Sequence, residues 1–157
     1  MKKIAWICLM LLCWGCAPSM GTITEDSLNL EMLSDTFDEK IANQEWQINV
    51  LGEPLSPSQI EVIYGISETQ YEAAMVRRSV VEAAGEEIAV FHAAEGQGDQ
   101  IVEQLGLYQN ERLTQNEGLP YQQGLIQNAH IRKIGNYVVF VCSQEQANVI
   151  QYINSLA

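Results

Sequence analysis

The feature that most constrains the fold is a run of apolar residues near the C-terminal end of the chain. Residues 137–142 read Tyr-Val-Val-Phe-Val-Cys, and β-branched and aromatic residues of this kind favour β-strands. Successive side chains of a strand point to opposite faces of its sheet, so a strand that is apolar throughout is buried on both faces. The run therefore predicts a central strand with neighbours on both of its edges.

A β-hairpin is predicted to join this strand to the segment before it. Residues 129–134 form a second strand pattern, and only Gly135 and Asn136 separate it from residues 137–143. A two-residue turn between antiparallel strands requires positive φ angles, which glycine and asparagine adopt most readily. The spacing therefore predicts that the two strands pair directly.

Three more elements follow from the periodicity of the second half of the chain. Residues 87–93 have the composition of a strand, while residues 99–112 and 144–156 have the apolar spacing of amphipathic helices. The two helical stripes consist of Ile101, Val102, Leu105 and Tyr108, and of Val149, Ile150, Ile153 and Leu156. A polar loop around residues 116–120 is expected to connect the first helix to the hairpin.

The segment from Ala73 to Ala84 has a mixed pattern. Its alanines, with Gly85 as a C-cap, favour a helix. Val76, Val80 and Val81 favour a strand instead. The residues alone leave both alternatives open.

The N-terminus has the layout of an export signal. Lys2 and Lys3 precede an apolar run over residues 4–14, which Gly15 and Cys16 follow. A positive start, a short apolar core and a small residue before a cleavage site are typical of secretory signal peptides. The apolar stretch is also shorter than the about 20 residues that a membrane-spanning helix needs.

The Gly15-Cys16 pair resembles the end of a bacterial lipoprotein signal, in which the cysteine becomes the lipidated first residue of the mature chain. The resemblance implies a signal peptide at residues 1–15 and a lipid on Cys16. It also implies anchoring on the extracytoplasmic face of the cell membrane, which is stable when more than one acyl chain is attached. The alternative is a secreted protein that is cleaved near Ala17.

Composition and proline positions divide the rest of the chain. Residues 16–27 are mostly small and polar and predict a lipidated tether. Residues 28–54 predict an N-terminal helix followed by an extended linker. Pro54 and Pro57 then mark the start of a compact domain at residues 55–157.

Four motifs in the second part of the chain are similar to those of a family of uncharacterised bacterial lipoproteins, mainly from Gram-positive organisms. The motifs are Tyr64-Gly-Ile66, Glu87-Ile-Ala-Val-Phe91, Asn128-Ala129 and Gly135-Asn-Tyr-Val138. The similarity covers about residues 55–156, and members carry a domain of unknown function behind a lipoprotein signal. It implies that residues 73–81 are extended, and it brings no catalytic or binding residues.

These elements together predict an α+β fold with a single domain. Its antiparallel sheet is expected to have about four strands, in the order ββαββα along the chain. The strands are expected at about residues 73–81, 87–93, 129–134 and 137–143. The helices near residues 99–112 and 144–156 are expected to cover one face of the sheet.

The charge of the chain argues against nucleic acid as a partner. The chain has 8 Lys+Arg and 20 Asp+Glu, a net charge of −12, and loss of residues 1–15 leaves 6 basic and 20 acidic residues, a net charge of −14. Binding to nucleic acid requires basic side chains that neutralise phosphates. An acidic surface favours an envelope protein with a basic face, or divalent ions that are held loosely.

No catalytic, cofactor-binding or metal-binding residues are predicted. Cys8 and Cys13 fall in the signal, and Cys142 is then an isolated thiol in an apolar strand, where cysteine behaves as a small hydrophobic residue. His92 and His130 lie in predicted strands, and a two-histidine metal site would require those strands to pair. Histidines on the surface of a sheet are the simpler interpretation.

Three classes of function stay open at this point. A non-catalytic binding or assembly module is favoured, because the anchor, the charge and the missing catalytic constellation all fit it. The first alternative is a small lipoprotein that captures a solute or a divalent metal ion. The second is a hydrolase of envelope polymers, which requires paired carboxylates in a groove.

Replacing Cys16 with Ser tests the lipoprotein assignment. The Cys16→Ser protein is expected to leave the membrane fraction for the medium, or to stay unprocessed, because the thioether that carries the lipid cannot form. Fractionation and intact-mass measurement of both proteins provide the readout. Normal processing together with wild-type membrane association would contradict the assignment.

Overall fold

The computed structural model of the protein describes residues 28–156. The expected signal peptide at residues 1–15 and the lipidated tether at residues 16–27, with Cys16, lie outside the described residues. Among the described residues, no helix has the length and apolar character needed to cross a membrane.

Five helices and four strands make up this part of the chain, and they form a single α+β domain, as predicted. The elements are α1 (Leu30–Ala42), α2 (Pro57–Tyr64), β1 (Tyr71–Arg78), β2 (Glu87–Ala93), α3 (Gly98–Gln115), α4 (Pro120–Gln127), β3 (His130–Ile134), β4 (Tyr137–Cys142) and α5 (Gln146–Leu156). Short 3₁₀ turns at Glu68–Gln70 and Glu82–Ala84 flank β1.

The sheet is antiparallel throughout, with the strand order β1-β2-β4-β3. Strand β4 pairs with β2 along one edge and with β3 along the other. All six of its residues are buried, as the continuous apolar run requires. The prediction that this strand is central is therefore confirmed.

The ambiguous segment after the Tyr64-Gly-Ile66 motif is a strand up to Arg78, as the family resemblance implies, but Val80 and Val81 lie beyond the end of this strand and residues 82–84 form a 3₁₀ turn. Strand β1 pairs with β2 from Tyr71 to Arg78, and Gly85, with a φ of 68°, lies in the connection between the two strands. Pairing with a buried neighbour outweighs the modest helix propensity of the alanines, because strand preference depends mainly on packing context.

The predicted hairpin joins β3 to β4. Ile134 pairs with Tyr137 on either side of the two turn residues, and Gly135 has a φ of 57°. Glycine adopts this left-handed conformation without the steric cost that a Cβ would add.

Helices cover both faces of the sheet, and the expectation of a single covered face is therefore wrong. One core, here called the α3 core, contains the strand residues Val76, Ala89, Phe91, Val138, Phe140 and Cys142, packed against α2, α3 and α4. The second core, here called the α5 core, contains Met75, Ile88, Val90, Tyr137, Val139 and Val141, packed against α1 and α5. The alternate side chains of β2 and β4 are apolar on both sides, so an uncovered face would expose one whole set to water.

The N-terminal helix and the extended residues after it contribute to the α5 core. Leu33 and Phe37 of α1 are buried there, together with Trp46, Ile48 and Leu51. The ring of Phe37 lies 5.2 Å from that of Trp46, a distance typical of favourable aromatic packing. Residues 28–54 thus supply much of the cover for this face of the sheet.

A short helix, α4, occupies part of the region that was expected to be a polar loop between α3 and the hairpin. Pro120 is its first residue, a position where the missing N–H of proline costs no helical hydrogen bond. Leu125 and Ile126 are buried in the α3 core. Their burial stabilises a segment whose glutamines and Gly124 give little helical signal on their own.

Replacing Phe37 with Ala tests whether α1 is part of the folded unit. The change is expected to lower the free energy of unfolding by about 3–5 kcal/mol, because it leaves a cavity in the α5 core. Met32 lies on the same helix and is 60% exposed, so Met32→Ala is the matched control, with an expected loss below about 1 kcal/mol. Denaturant unfolding of both variants gives the comparison, and equal losses would mean that α1 does not pack on the sheet.

Candidate functional site

A cleft with a volume of about 500 Å³ lies at one end of the sheet. It is formed by the ends of β2 and β3, the start of α3 and the hairpin turn, and we call it the sheet-end cleft. Its ionisable side chains are Glu72, His92, Glu95, Asp99 and Lys133. Acidic and basic groups are therefore mixed along its wall.

A β-bulge positions the first of these side chains. Tyr71 pairs with Ala93 and Ala73 pairs with His92, so Glu72 is an extra residue in β1. Bulges of this type change the direction of a side chain and are frequent beside functional sites. Here the Glu72 carboxylate lies 3.3 Å from Nδ1 of His92.

The remaining groups of the sheet-end cleft also have close neighbours. The ring of His92 stacks on Tyr137, with 4.8 Å between the ring centroids. The Lys133 ammonium lies 2.6 Å from the Asp99 carboxylate. A Cβ at Gly98 would lie 3.3 Å from the Lys133 side chain, so glycine lets this side chain pass close to the start of α3. The cleft can accept a polar ligand: Lys133 and Asp99 form an ion pair there, and Glu95 forms no ion pair with any described residue.

The two histidines are not brought together. Strand β4 separates β2 from β3, so His92 pairs with Tyr137 while His130 pairs with Val141 near the other end of β4. The condition for a two-histidine metal site, that their strands pair, is not met. More generally, no group of three or more His, Cys, Asp or Glu residues among those described has an arrangement that could hold a metal ion.

A buried carboxylate in the α3 core forms the second notable cluster, which sequence reasoning did not identify. Glu87 is fully buried, and its Oε1 accepts a hydrogen bond of 2.6 Å from the hydroxyl of Tyr64. Its Oε2 accepts a hydrogen bond of 2.8 Å from the hydroxyl of Tyr108. The guanidinium groups of Arg112 and Arg78 each lie 3.3 Å from the same oxygen. We call these five residues the Glu87 cluster.

The electrostatics of the Glu87 cluster hold its hydroxyl groups in the protonated state. Burial raises the pKa of Tyr64, and the negative charge of Glu87 raises it further. The same two causes raise the pKa of Tyr108. Both hydroxyls therefore donate to the carboxylate at any physiological pH, and the Arg112 guanidinium also donates to the backbone oxygen of Gly85 at 2.9 Å.

The thiol of Cys142 lies beside this cluster and is fully buried. Burial raises the pKa of Cys142 to about 11, although the nearby Arg112 acts in the opposite direction. Only the thiolate form of cysteine is an effective nucleophile. The thiol also lies 3.5 Å from the backbone oxygen of Gly85, to which it donates a weak hydrogen bond.

A third feature is a cleft of about 330 Å³ between α1 and the outer edge of β1, here called the acidic cleft. The four carboxylate side chains that line it are Glu31, Asp35, Asp38 and Glu53. Arg77 also lines it, but its guanidinium is bound to Asp38 at 2.9 Å and to the backbone oxygen of Gly52 at 2.7 Å. The other three carboxylates form no ion pair within residues 28–156, and all four acidic residues are exposed.

The sequence contained one usable signal for the Glu87 cluster. Glu87 is the acidic residue that begins a mostly apolar strand, directly before the run Ile88–Phe91. A charge beside a buried strand requires compensation. The identity of the compensating groups was not predictable, because Tyr64, Tyr108 and Arg112 are all more than twenty residues away in sequence.

Replacing Glu87 with Gln tests the energetic role of the cluster. The loss of the negative charge leaves two guanidinium groups without their buried partner, so the free energy of unfolding should fall by about 3–5 kcal/mol at pH 7. Glu111→Gln on the exposed side of α3 is the matched control, with an expected change within about 0.5 kcal/mol. Denaturant unfolding measures both, and equal effects would show that the buried charge is not needed.

Comparison with known proteins identifies the family but gives no activity. A family model described as "Domain of unknown function (DUF4358)" matches residues 44–143. No curated protein and no solved structure matches the chain. The match covers most of the sequence, from the residues that pack under α1 to the end of β4, and the chain therefore belongs to the DUF4358 family.

Proposed function

We propose that the protein is a non-catalytic binding or assembly module that is anchored to the outer face of the cell membrane by a lipid on Cys16. Its partner is an envelope protein with a basic face. The signal-like sequence of residues 1–15 and the following Cys16 support the location. The surface of the folded domain supports the binding role.

The acidic cleft is the observation that carries the proposal. Three of its four carboxylates form no ion pair among the described residues, and its volume of about 330 Å³ leaves room for a lysine or arginine side chain. Opposite charges at such a surface speed the encounter of two proteins and select the correct partner. The net charge of −12 adds a long-range attraction for basic surfaces.

The positions of the reactive side chains support a role without catalysis. The carboxylate of Glu87 is occupied by two hydroxyl and two guanidinium groups, so it is not available to act on a substrate. Cys142 and His92 lie five register positions apart along paired strands, since Cys142 pairs with Glu87 and His92 pairs with Tyr137. A nucleophile requires a base within hydrogen-bonding reach.

Capture of a small solute is the second candidate function, and the sheet-end cleft favours it. Its volume of about 500 Å³ lies in the range of small-molecule sites. Charges of both signs line it, which suits a polar solute with both an acidic and a basic group. Calorimetric titration of the full chain with amino acids and with divalent cations tests this candidate separately.

A charge-neutralising variant of the acidic cleft tests the proposed function. Asp35→Asn combined with Glu53→Gln removes two exposed charges from the cleft. Affinity for a fluorescent oligolysine, measured by anisotropy on the full chain in detergent micelles, should fall by about fivefold or more, as expected for the loss of two favourable ion pairs. The affinity of the unchanged protein should also fall as salt rises, because salt screens exposed charges.

The control keeps the same net charge while leaving the acidic cleft intact. Glu103→Gln combined with Glu117→Gln removes two exposed charges from α3 and the loop after it, and it should weaken oligolysine binding much less. If the two double variants weaken oligolysine binding equally, the binding depends on the general surface charge and not on the acidic cleft. Turnover of an ester, peptide, phosphate or glycoside that a single Asp, Glu or His substitution abolishes without unfolding would overturn the non-catalytic proposal.

A further inference from the structure

The two edges of the sheet differ in how they are covered. At the β1 edge, the backbone N–H of Gly52 donates to Arg78 and that of Leu55 donates to Val76, each at 2.8 Å. At the β3 edge, no other part of the described chain pairs with the strand. Strand β3 therefore presents an open edge, which is a template for an additional strand.

The hairpin fixes which backbone groups of β3 point outward. A two-residue turn closes with a hydrogen-bonded pair, so Ile134 and Tyr137 exchange backbone hydrogen bonds, and the bonded positions alternate from there. The N–H and C=O groups of Ile131 and Lys133 therefore point away from β4. Within residues 28–156 no backbone or side-chain group hydrogen-bonds to them.

The charge of this edge is opposite to that of the chain as a whole. Residues 118–144 contain no Asp or Glu, although the chain has 20 acidic residues. Strand β3 lies in this segment and contributes Arg132, Lys133 and the imidazole of His130. All three are exposed. Lys133 is already paired with Asp99, whereas Arg132 forms no ion pair with any described residue.

We propose that the open edge of β3 binds an extended, acidic segment of a second envelope protein, which adds to the sheet as a fifth strand. Backbone hydrogen bonds to Ile131 and Lys133 supply the affinity, as in other cases of strand addition. Carboxylates of the added strand on the same face as Arg132 supply the selectivity, because opposite charges on neighbouring strands stabilise the pair. This surface is separate from the acidic cleft, so it goes beyond the function proposed above.

The same charges disfavour a second copy of this chain as the occupant. In an antiparallel pairing of two β3 edges through Ile131 and Lys133, the two-fold axis passes through residue 132. Arg132 then lies directly opposite the Arg132 of the other copy, and like charges in this position destabilise a strand pair. An acidic segment replaces this repulsion with an attraction.

Hydrogen exchange on the full-length chain in detergent micelles tests the proposal. The probe is a blocked peptide of alternating Val and Glu, about eight residues long, and the comparison is the same peptide with Lys in place of Glu. The acidic peptide should slow exchange of the Ile131 and Lys133 amides by about tenfold or more at saturation, as expected for amides that gain a partner. The basic peptide should leave them unchanged.

Two matched pairs of variants separate the backbone from the side chain. Lys133→Pro removes one outward N–H, and Lys133→Ala removes the same side chain but keeps that N–H. The proline variant should bind the acidic peptide about fivefold more weakly than the alanine variant, as expected for the loss of one hydrogen bond. Arg132→Glu should likewise bind more weakly than Arg132→Gln. Because Arg132 is exposed, this second pair keeps the test valid if Lys133→Pro does not fold.

Several results would overturn the proposal. Equal binding of the two peptides, or equal binding by Lys133→Pro and Lys133→Ala, would exclude an added acidic strand. Protection of both amides without peptide would mean that the edge is already filled. If that protection rises with protein concentration the occupant is a second copy, and if it does not, the occupant is another part of the same chain. If the acidic-cleft variant Asp35→Asn/Glu53→Gln loses binding of the acidic peptide, the peptide does not bind at the β3 edge.

Discussion

The contact on which the α3 side of the domain most depends is the one between the Glu87 carboxylate and its four partners. These partners come from α2, the end of β1 and two turns of α3, so a single buried charge on β2 links three further elements. Burying a carboxylate is costly unless charge and hydrogen bonds compensate it. The Glu87 cluster meets both conditions and in doing so fixes where α2 and α3 lie on the sheet.

The sheet was predictable because the residues that specify its central strand and its hairpin are close together in the sequence. The apolar run of β4 requires two neighbours, and the Gly135-Asn136 turn assigns one of them. Strand β1 could not be assigned from its residues, because alanine and valine give opposite preferences. Packing context decides whether such a segment becomes a helix or a strand. Only the family resemblance predicted the strand. Helix α4 was missed for a related reason, since its stability comes from Leu125 and Ile126 in the core rather than from helix-forming residues.

The candidate sites were less predictable than the fold, and the cause is again sequence distance. Glu72 and His92 approach each other because of a β-bulge in β1, and no residue pattern in the sequence predicts that bulge. Arg77 and Asp38 meet across 39 positions of the chain, and neither has an unusual sequence neighbourhood. Composition did indicate the acidic character of the surface. It did not indicate that acidic residues are missing from residues 118–144 as a block, nor that β3 within this block forms the open edge of the sheet.

The two proposed surfaces lie at opposite edges of the same sheet. This arrangement suits an assembly module, which brings two partners together. The acidic cleft borders β1, and β3 is the strand at the far edge, three strand spacings or about 14 Å away. Partners of opposite charge can therefore bind at the same time without competing for one surface. The rigid sheet between them, buried on both faces, would hold those partners at a fixed separation. A lipid at Cys16 would confine both encounters to a thin layer above the membrane, where the effective concentration of each partner is raised.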